Sequence, residues 1–258
     1  MAGDITPLAS LSLTHVYYNP DDPISLLCAW LALVPQALCV VYATLIWSTR
    51  EAEVALMFAG QLACEGANFA LKRLIKEERP RHVHQSKSKG YGMPSSHAQF
   101  ACFWAVALSL FLLVRHRPRH PPAPVPGKDA KGRTPSRLAA IERYAHEPWS
   151  LAQRTLVSGG AVTLAGLVGW SRVYLGYHTG KQVLVGCAAG SVSAVAWFAV
   201  TYVARETGLL AWALEVPVAR WFRLRDLVVE EDLCQAGWEK WEGRREREAL
   251  VAKQKKRL

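Results

Sequence analysis

Residues 24–47 read ISLLCAWLALVPQALCVVYATLIW, 24 residues without a single charge. A helix rises about 1.5 Å per residue, so about 20 apolar residues cross the hydrocarbon core of a bilayer. This run is therefore a membrane span, and the class of the chain follows from it. Outward from it, four further apolar stretches of comparable length occupy residues 54–71, 98–114, 155–170 and 183–203. The second contains Glu65 and Asn68, and the fourth is rich in glycine, which suits close helix packing. The expected fold is all-α, a polytopic membrane bundle of about five transmembrane helices. Residues 209–222 are apolar but interrupted by Glu215 and Pro217, and read as an interfacial C-terminal helix.

The chain of 258 residues carries 31 Lys and Arg against 21 Asp and Glu. The segment 115–154 contains RHRPRHPPAPVPGKDAKGRTPSR, too poor in apolar residues to build a core, and is expected to be a disordered basic linker. Five of the six cysteines lie within apolar stretches with no metal-ligand spacing, and read as small buried hydrophobes. No basic leader with a small-residue cleavage site is visible, so the first span is expected to direct insertion. Neither an internal repeat nor a nucleotide-binding glycine loop is visible.

Basic residues gather on the cytosolic side of membrane proteins. No Lys or Arg precedes the first span, whereas nine lie in 115–154 and twelve after Val203. The expected organisation is a lumenal N-terminus (1–23), a membrane domain (24–203) that includes the cytosolic linker, and a cytosolic amphipathic helix with a basic tail (204–258). One segment breaks the rule. Residues 72–89 carry seven basic residues on the expected lumenal side, and binding of an anion supplies a reason for them.

Three polar clusters bound the spans on that side: Lys72 to Pro80, Gly92-Met93-Pro94-Ser95-Ser96-His97, and Ser171-Arg172 followed by His178. A cation at a helix end, a Pro-Ser-Ser helix start or a lone histidine is ordinary by itself. Together they fit a phosphate pocket. Lys72, Arg79 and Arg172 would neutralise a transferring phosphoryl group, and Ser95 with the first N–H groups of the third span would add donors. No acidic cluster in these loops suits magnesium, so the expectation is an enzyme without metal or other cofactor. Two histidines at one anionic site suggest a nucleophile and a general acid, without saying which is which. Gln61, Glu65, Asn68 and Lys72 share one helical stripe, where Glu65 either pairs with Lys72 or orients it or a histidine.

The spacing Lys72 to Arg79-Pro80, the run Pro94-Ser95-Ser96-His97, and Ser171-Arg172 with His178 resemble the three motifs of the type 2 phosphatidic acid phosphatase superfamily. That resemblance implies His178 as nucleophile, His97 as general acid, and Lys72, Arg79, Ser95, Ser96, His97 and Arg172 as the phosphate-binding set. Two positions depart from the superfamily pattern. Ser96 stands where glycine is usual, and Gln182 stands where an aspartate normally lies four residues after the nucleophile.

Both departures, with Tyr91 to Phe100 and Ser171 to Thr179, resemble one branch, the eukaryotic dolichyldiphosphatases. The similarity covers roughly residues 61–190. It implies a membrane-embedded enzyme that acts on a polyprenyl (dolichyl) pyrophosphate lipid and not on nucleic acid, at the lumenal face of the endoplasmic reticulum, in recycling the carrier for protein N-glycosylation. Gln182, Glu65 and Asn68 would support the site. Another lipid phosphatase of the superfamily, or a lipid-binding protein without turnover, fits the same residues. Lys255 and Lys256 resemble a dilysine retrieval signal.

Overall fold

The computed structural model describes residues 9–11, 16–80, 91–117 and 149–233, with isolated positions up to 248. Residues 118–148 of the basic linker, the distal part of the cationic 72–89 segment and the dilysine tail lie outside the described residues, whereas the two ends of the expected linker, Arg115 and residues 151–154, are helical.

The chain opens with an antiparallel pair, β1 (Ala9–Leu11) and β2 (Val16–Tyr18), in which Ala9 faces Tyr18. Helices α1 (Pro23–Leu31) and α2 (Val34–Thr49) follow, then α3 (Ala52–Ile75) and α4 (Ser96–Leu110), which continues as a π-helical turn over Phe111–Arg115. The long helices α5 (Leu151–Tyr174) and α6 (Gly180–Glu206) complete the bundle, and the short α7 (Leu209–Glu215) and α8 (Pro217–Trp221) come after it. Five segments are long and apolar enough to cross a membrane, as expected. Their outward surfaces expose Trp47, Leu74, Leu156 and Leu184, which suits a lipid environment.

The sequence reading is corrected at three points. The first span is two helices, because the chain turns at Ala32 and Leu33 before Pro35, which lacks an N–H for a continuous helix. The interfacial segment is likewise divided, with extended Val216 before Pro217 ending α7 and starting α8. Of the glycines in the fourth span only Gly169 is closely packed, where a Cβ would stand 3.1 Å from Val183 Cγ1 of α6. Cβ atoms at Gly159, Gly160 and Gly166 of α5 would meet nothing within 4 Å.

The closer contact lies between α4 and α6. A Cβ at Gly186 would stand 2.7 Å from the Ser95 carbonyl oxygen, and one at Gly190 would stand 2.2 Å from that of Gln99. Both obstacles are backbone, so only glycine permits this approach. On the other side of α4, Gln99 Nε2 donates to the Cys64 carbonyl at 2.9 Å, and Asn68 Nδ2 donates to Gln99 Oε1 at 2.7 Å, which fastens α3. Helix α4 is thus the central element, the most buried of the five.

At the end away from the three polar clusters, buried Glu53 accepts from Arg115 and from Arg205, each at 2.6 Å. Arg205 also binds Asp226, and Glu51 Oε2 accepts the N–H groups of Leu227 and Val228 at 2.8 and 3.0 Å. These bonds dock the chain that follows α8 onto the start of α3.

Replacing Gly190 with alanine should lower the thermal midpoint of the purified protein in detergent, with a loss on the order of 1–3 kcal/mol from overpacking. The parallel Gly159→Ala change in α5 should leave the midpoint unchanged or slightly raised. Equal melting of the two variants would show that the α4–α6 contact does not require glycine.

Candidate active site

All three polar clusters lie at one end of the bundle, where α3 and α5 end and α4 and α6 begin. Helix α3 stops because Lys76 adopts a left-handed conformation (φ 55°), which turns Glu77, Glu78 and Arg79 back over the helix ends. The turn is tied to the segment before α4 by the Gly92 N–H, which donates to the Glu77 carbonyl at 2.6 Å.

Ser95 is the N-cap of α4 but its hydroxyl does not cap the helix, and its Oγ is buried without a partner among the described residues. Its N–H donates to the Gln182 carbonyl at 3.1 Å, so the start of α4 is held to the first turn of α6. His97 follows on α4 and lines a cavity of about 240 Å³ together with Ser96, Glu65, Cys39 and Phe100. Ser96 in the usual glycine position is accommodated because it faces this space.

Arg172 closes α5 and is 4% exposed. Its guanidinium stacks on the Tyr177 ring with 4.2 Å to the centroid, while Nε and Nη1 have no protein partner among the described residues. The Tyr177 hydroxyl accepts the N–H of Tyr17, and Tyr174 donates to Asp22 at 2.8 Å, so the N-terminal hairpin and α1 brace this corner. The Arg172 carbonyl accepts the N–H groups of Tyr177 and His178 at 3.0 and 3.2 Å, which fixes the loop that presents His178.

Lys72, Arg79 and Arg172 all lie close enough to His178 to act on it electrostatically, and Lys72, Arg172 and His178 do the same to His97, so the five belong to one site. His178 is 3% exposed. Its burial and the adjacent Arg172 push its imidazole down to about 4, with Arg79 and Lys72 acting in the same direction and the hydrogen bond to Gln182 opposing them. The ring is neutral at ordinary pH. Its Nδ1 lies 3.2 Å from Gln182 Oε1, an acceptor, so Nδ1 carries the hydrogen and Nε2 keeps its lone pair.

Gln182 is the residue whose surroundings the sequence concealed. It is also the third helical residue of a capping box, in which Thr179 Oγ1 accepts the Gln182 N–H and Gln182 Oε1 accepts the Thr179 N–H. Its Nε2 donates to Glu77 Oε1 at 3.0 Å and to the Glu78 carbonyl at 2.9 Å. A Cβ on Gly92 would lie 2.8 Å from that nitrogen, so the glycine leaves the amide its room. Glu77 also accepts from Lys181 at 3.0 Å, and Lys181 and Gln182 together hold its carboxyl below the usual carboxylate range.

Two sequence expectations on α3 resolve differently. Asn68 donates to Gln99, which ties α3 to the helix that carries His97. Glu65 makes no direct ion pair with Lys72 among the described residues: Oε1 is buried without a hydrogen bond and the side chain faces the His97 cavity. Neither Gln99 nor Glu77 is among the residues expected from the sequence. Gln99, polar inside a span, carried a signal comparable to that of Glu65, whereas Glu77 sits among charged neighbours and carried none.

Residues 52–206 match the model of the PAP2 superfamily. Over the whole length of both chains, the protein is 65% identical to a Neurospora crassa protein provisionally named a dolichyldiphosphatase. It is 35% identical to dolichyldiphosphatase 1 of Homo sapiens over 84% of this chain and 81% of that one, and 32% identical to dolichyldiphosphatase 1 of Dictyostelium discoideum over 88% and 87%. The chain belongs to the PAP2 superfamily.

The His178 ring should titrate near pH 4 by nitrogen-detected NMR in detergent, with the proton on Nδ1 above that pH. A midpoint at the ordinary 6.5 would contradict the burial described here. Because the folded value lies below the unfolded one, the unfolded chain binds more protons between them. The associated stability is present above about pH 6.5 and is lost as pH falls to about 4.

Proposed function

We propose, with membership of the PAP2 superfamily as premise, that the chain removes the terminal phosphate of a dolichyl-type polyprenyl pyrophosphate and leaves the lipid monophosphate. The observation that carries this reading is the convergence of three cations and two histidines from separate helices on one membrane-end site, in a chain 65% identical to a protein provisionally named for that activity. Dolichyldiphosphatase 1 of Homo sapiens and of Dictyostelium discoideum, with this chain spanning more than four fifths of each, add to the support.

In the proposed reaction Lys72, Arg79, Arg172 and Ser95 hold the phosphate oxygens, and charge stabilisation does most of the work. His178 Nε2 attacks phosphorus, the bond to the bridging oxygen breaks, and His97 gives its proton to the departing lipid phosphate. Water then attacks the phosphohistidine, His97 takes the water's proton, and inorganic phosphate leaves with His178 restored. The cations do the work of a metal, so the reaction needs none.

The charge distribution supports a site facing the endoplasmic reticulum lumen and a cytosolic C-terminus, and with that orientation the proposed reaction would recycle the lipid carrier of protein N-glycosylation.

Phosphate release from dolichyl pyrophosphate should persist in chelator and fall by about 10³ or more in His178→Ala. Radiolabelled phosphate should be trapped on His178 in the wild type and not in that variant. Faster release from phosphatidate, or dependence on magnesium, would overturn the reading. The acid limb of kcat/KM should lie near pH 4, since it reports the free enzyme in which the His178 base is lost on protonation.

A further inference from the structure

We propose that Glu77 is the carboxylate that positions His178 and stabilises its positive charge, acting through the side-chain amide of Gln182. The inference rests on the reading of His178 as nucleophile given above.

The amide of Gln182 connects two groups that do not touch. Its oxygen accepts from His178 Nδ1 at 3.2 Å and from the Thr179 N–H at 3.3 Å, and its nitrogen donates to Glu77 Oε1 at 3.0 Å and to the Glu78 carbonyl at 2.9 Å. The Thr179 N–H faces the oxygen and two acceptors face the nitrogen, so a flipped amide would lose these three bonds whichever tautomer His178 adopts. Gln182 is completely buried, and Gly92 packs against it closely enough that no side chain fits between.

Glu77 is itself held in place. Its carbonyl accepts from Gly92 at 2.6 Å and its second carboxylate oxygen accepts from Lys181 at 3.0 Å. When Nε2 bonds to phosphorus the imidazole becomes cationic, in a site already lined by Lys72, Arg79, Arg172 and His97. Nδ1–H then donates more strongly to the amide oxygen, and the polarised amide donates more strongly to the carboxylate. Among the described residues, Lys181 and the chain neighbours Lys76 and Glu78 are the other charged groups beside Glu77. Glu65 is no substitute, because it faces the cavity on the His97 side. With an intervening amide and a side chain 30% exposed, the effect should be smaller than the roughly 10⁴-fold contribution of an aspartate bonded directly to a catalytic histidine.

The test compares Glu77→Gln, Glu77→Asp, Gln182→Asp and the Glu77→Gln/Gln182→Asp double variant, each shown to be monodisperse and thermally stable in detergent. Release is measured with whichever lipid phosphate the wild type cleaves, so a wrong substrate assignment appears in the wild type alone. Failure to trap phosphate on wild-type His178 would instead overturn the nucleophile reading. Glu77→Gln should lower kcat about 10- to 100-fold with little change in KM, and should shift the acid limb of kcat/KM to lower pH because an anion that favours imidazolium is gone. Glu77→Asp should retain most activity. Gln182→Asp alone should be slow, since it sets two carboxylates face to face, whereas the double variant should recover to within about threefold of wild type. Wild-type kcat and pH profile in Glu77→Gln, or a double variant no faster than that single variant, would overturn the proposal.

Discussion

The contact on which the rest of the structure depends is the meeting of the α6 backbone with the first turns of α4. At Gly186 and Gly190 the helices approach so closely that a single added carbon would strike a carbonyl oxygen. This closeness is functional as well as structural. His97 sits on the first turn of α4 and His178 immediately before α6, so the distance between the two helices sets the distance between the two imidazoles. The Ser95 N–H bound to the Gln182 carbonyl fixes the register, and the Gln99 side chain carries the constraint across α4 into α3. Three of the four helices that supply the site are thereby held by backbone approach and buried amides, without reliance on long exposed side chains.

The two ends of the bundle treat positive charge in opposite ways. At one end Glu53 binds both Arg115 and Arg205, and Asp226 shares Arg205, so buried cations are compensated within the protein. Arg115 and Arg205 each leave only Nε without a hydrogen bond, whereas at the other end Arg172 has no carboxylate partner and keeps both Nε and Nη1 buried without protein partners, among the described residues. Desolvated donors of this kind are costly unless something binds them. A phosphate satisfies them with charge and geometry at once, which gives the physical link between the fold and the proposed chemistry. The same cations, together with burial, explain why His178 is held neutral before substrate arrives.

The bundle itself was legible in the sequence because the bilayer demands long apolar runs, and all five were found. Its breaks are less legible: Pro217 marks an interruption without saying that it separates two helices, and Pro35 lies within an unbroken apolar run. The glycine-rich fourth span suggested close packing, yet composition says only that a helix can be approached. Whether a neighbour is there is a property of the assembled bundle, and the neighbour lay at α6. Within the site, Lys72, Arg79, Arg172 and both histidines could be named from spacing and resemblance, since helix ends place such residues on one side of a membrane. The interaction of Gln182 with Glu77 could not. It joins positions 105 residues apart through a turn made by left-handed Lys76, and no local pattern encodes that turn.

By itself the sequence determined that this chain crosses a membrane several times, which end of the bundle gathers unpaired charge, and which residue types are available there. These follow from hydropathy and charge along one dimension, where each residue contributes independently of its distant neighbours. The tertiary structure alone decided which glycines bear the helix contact, that Glu65 faces the His97 cavity and does not close on Lys72, and that the glutamine in the aspartate position hands its hydrogen bond on to Glu77. Those outcomes depend on side chains from different helices competing for the same few ångströms, and that competition exists only once the helices have packed.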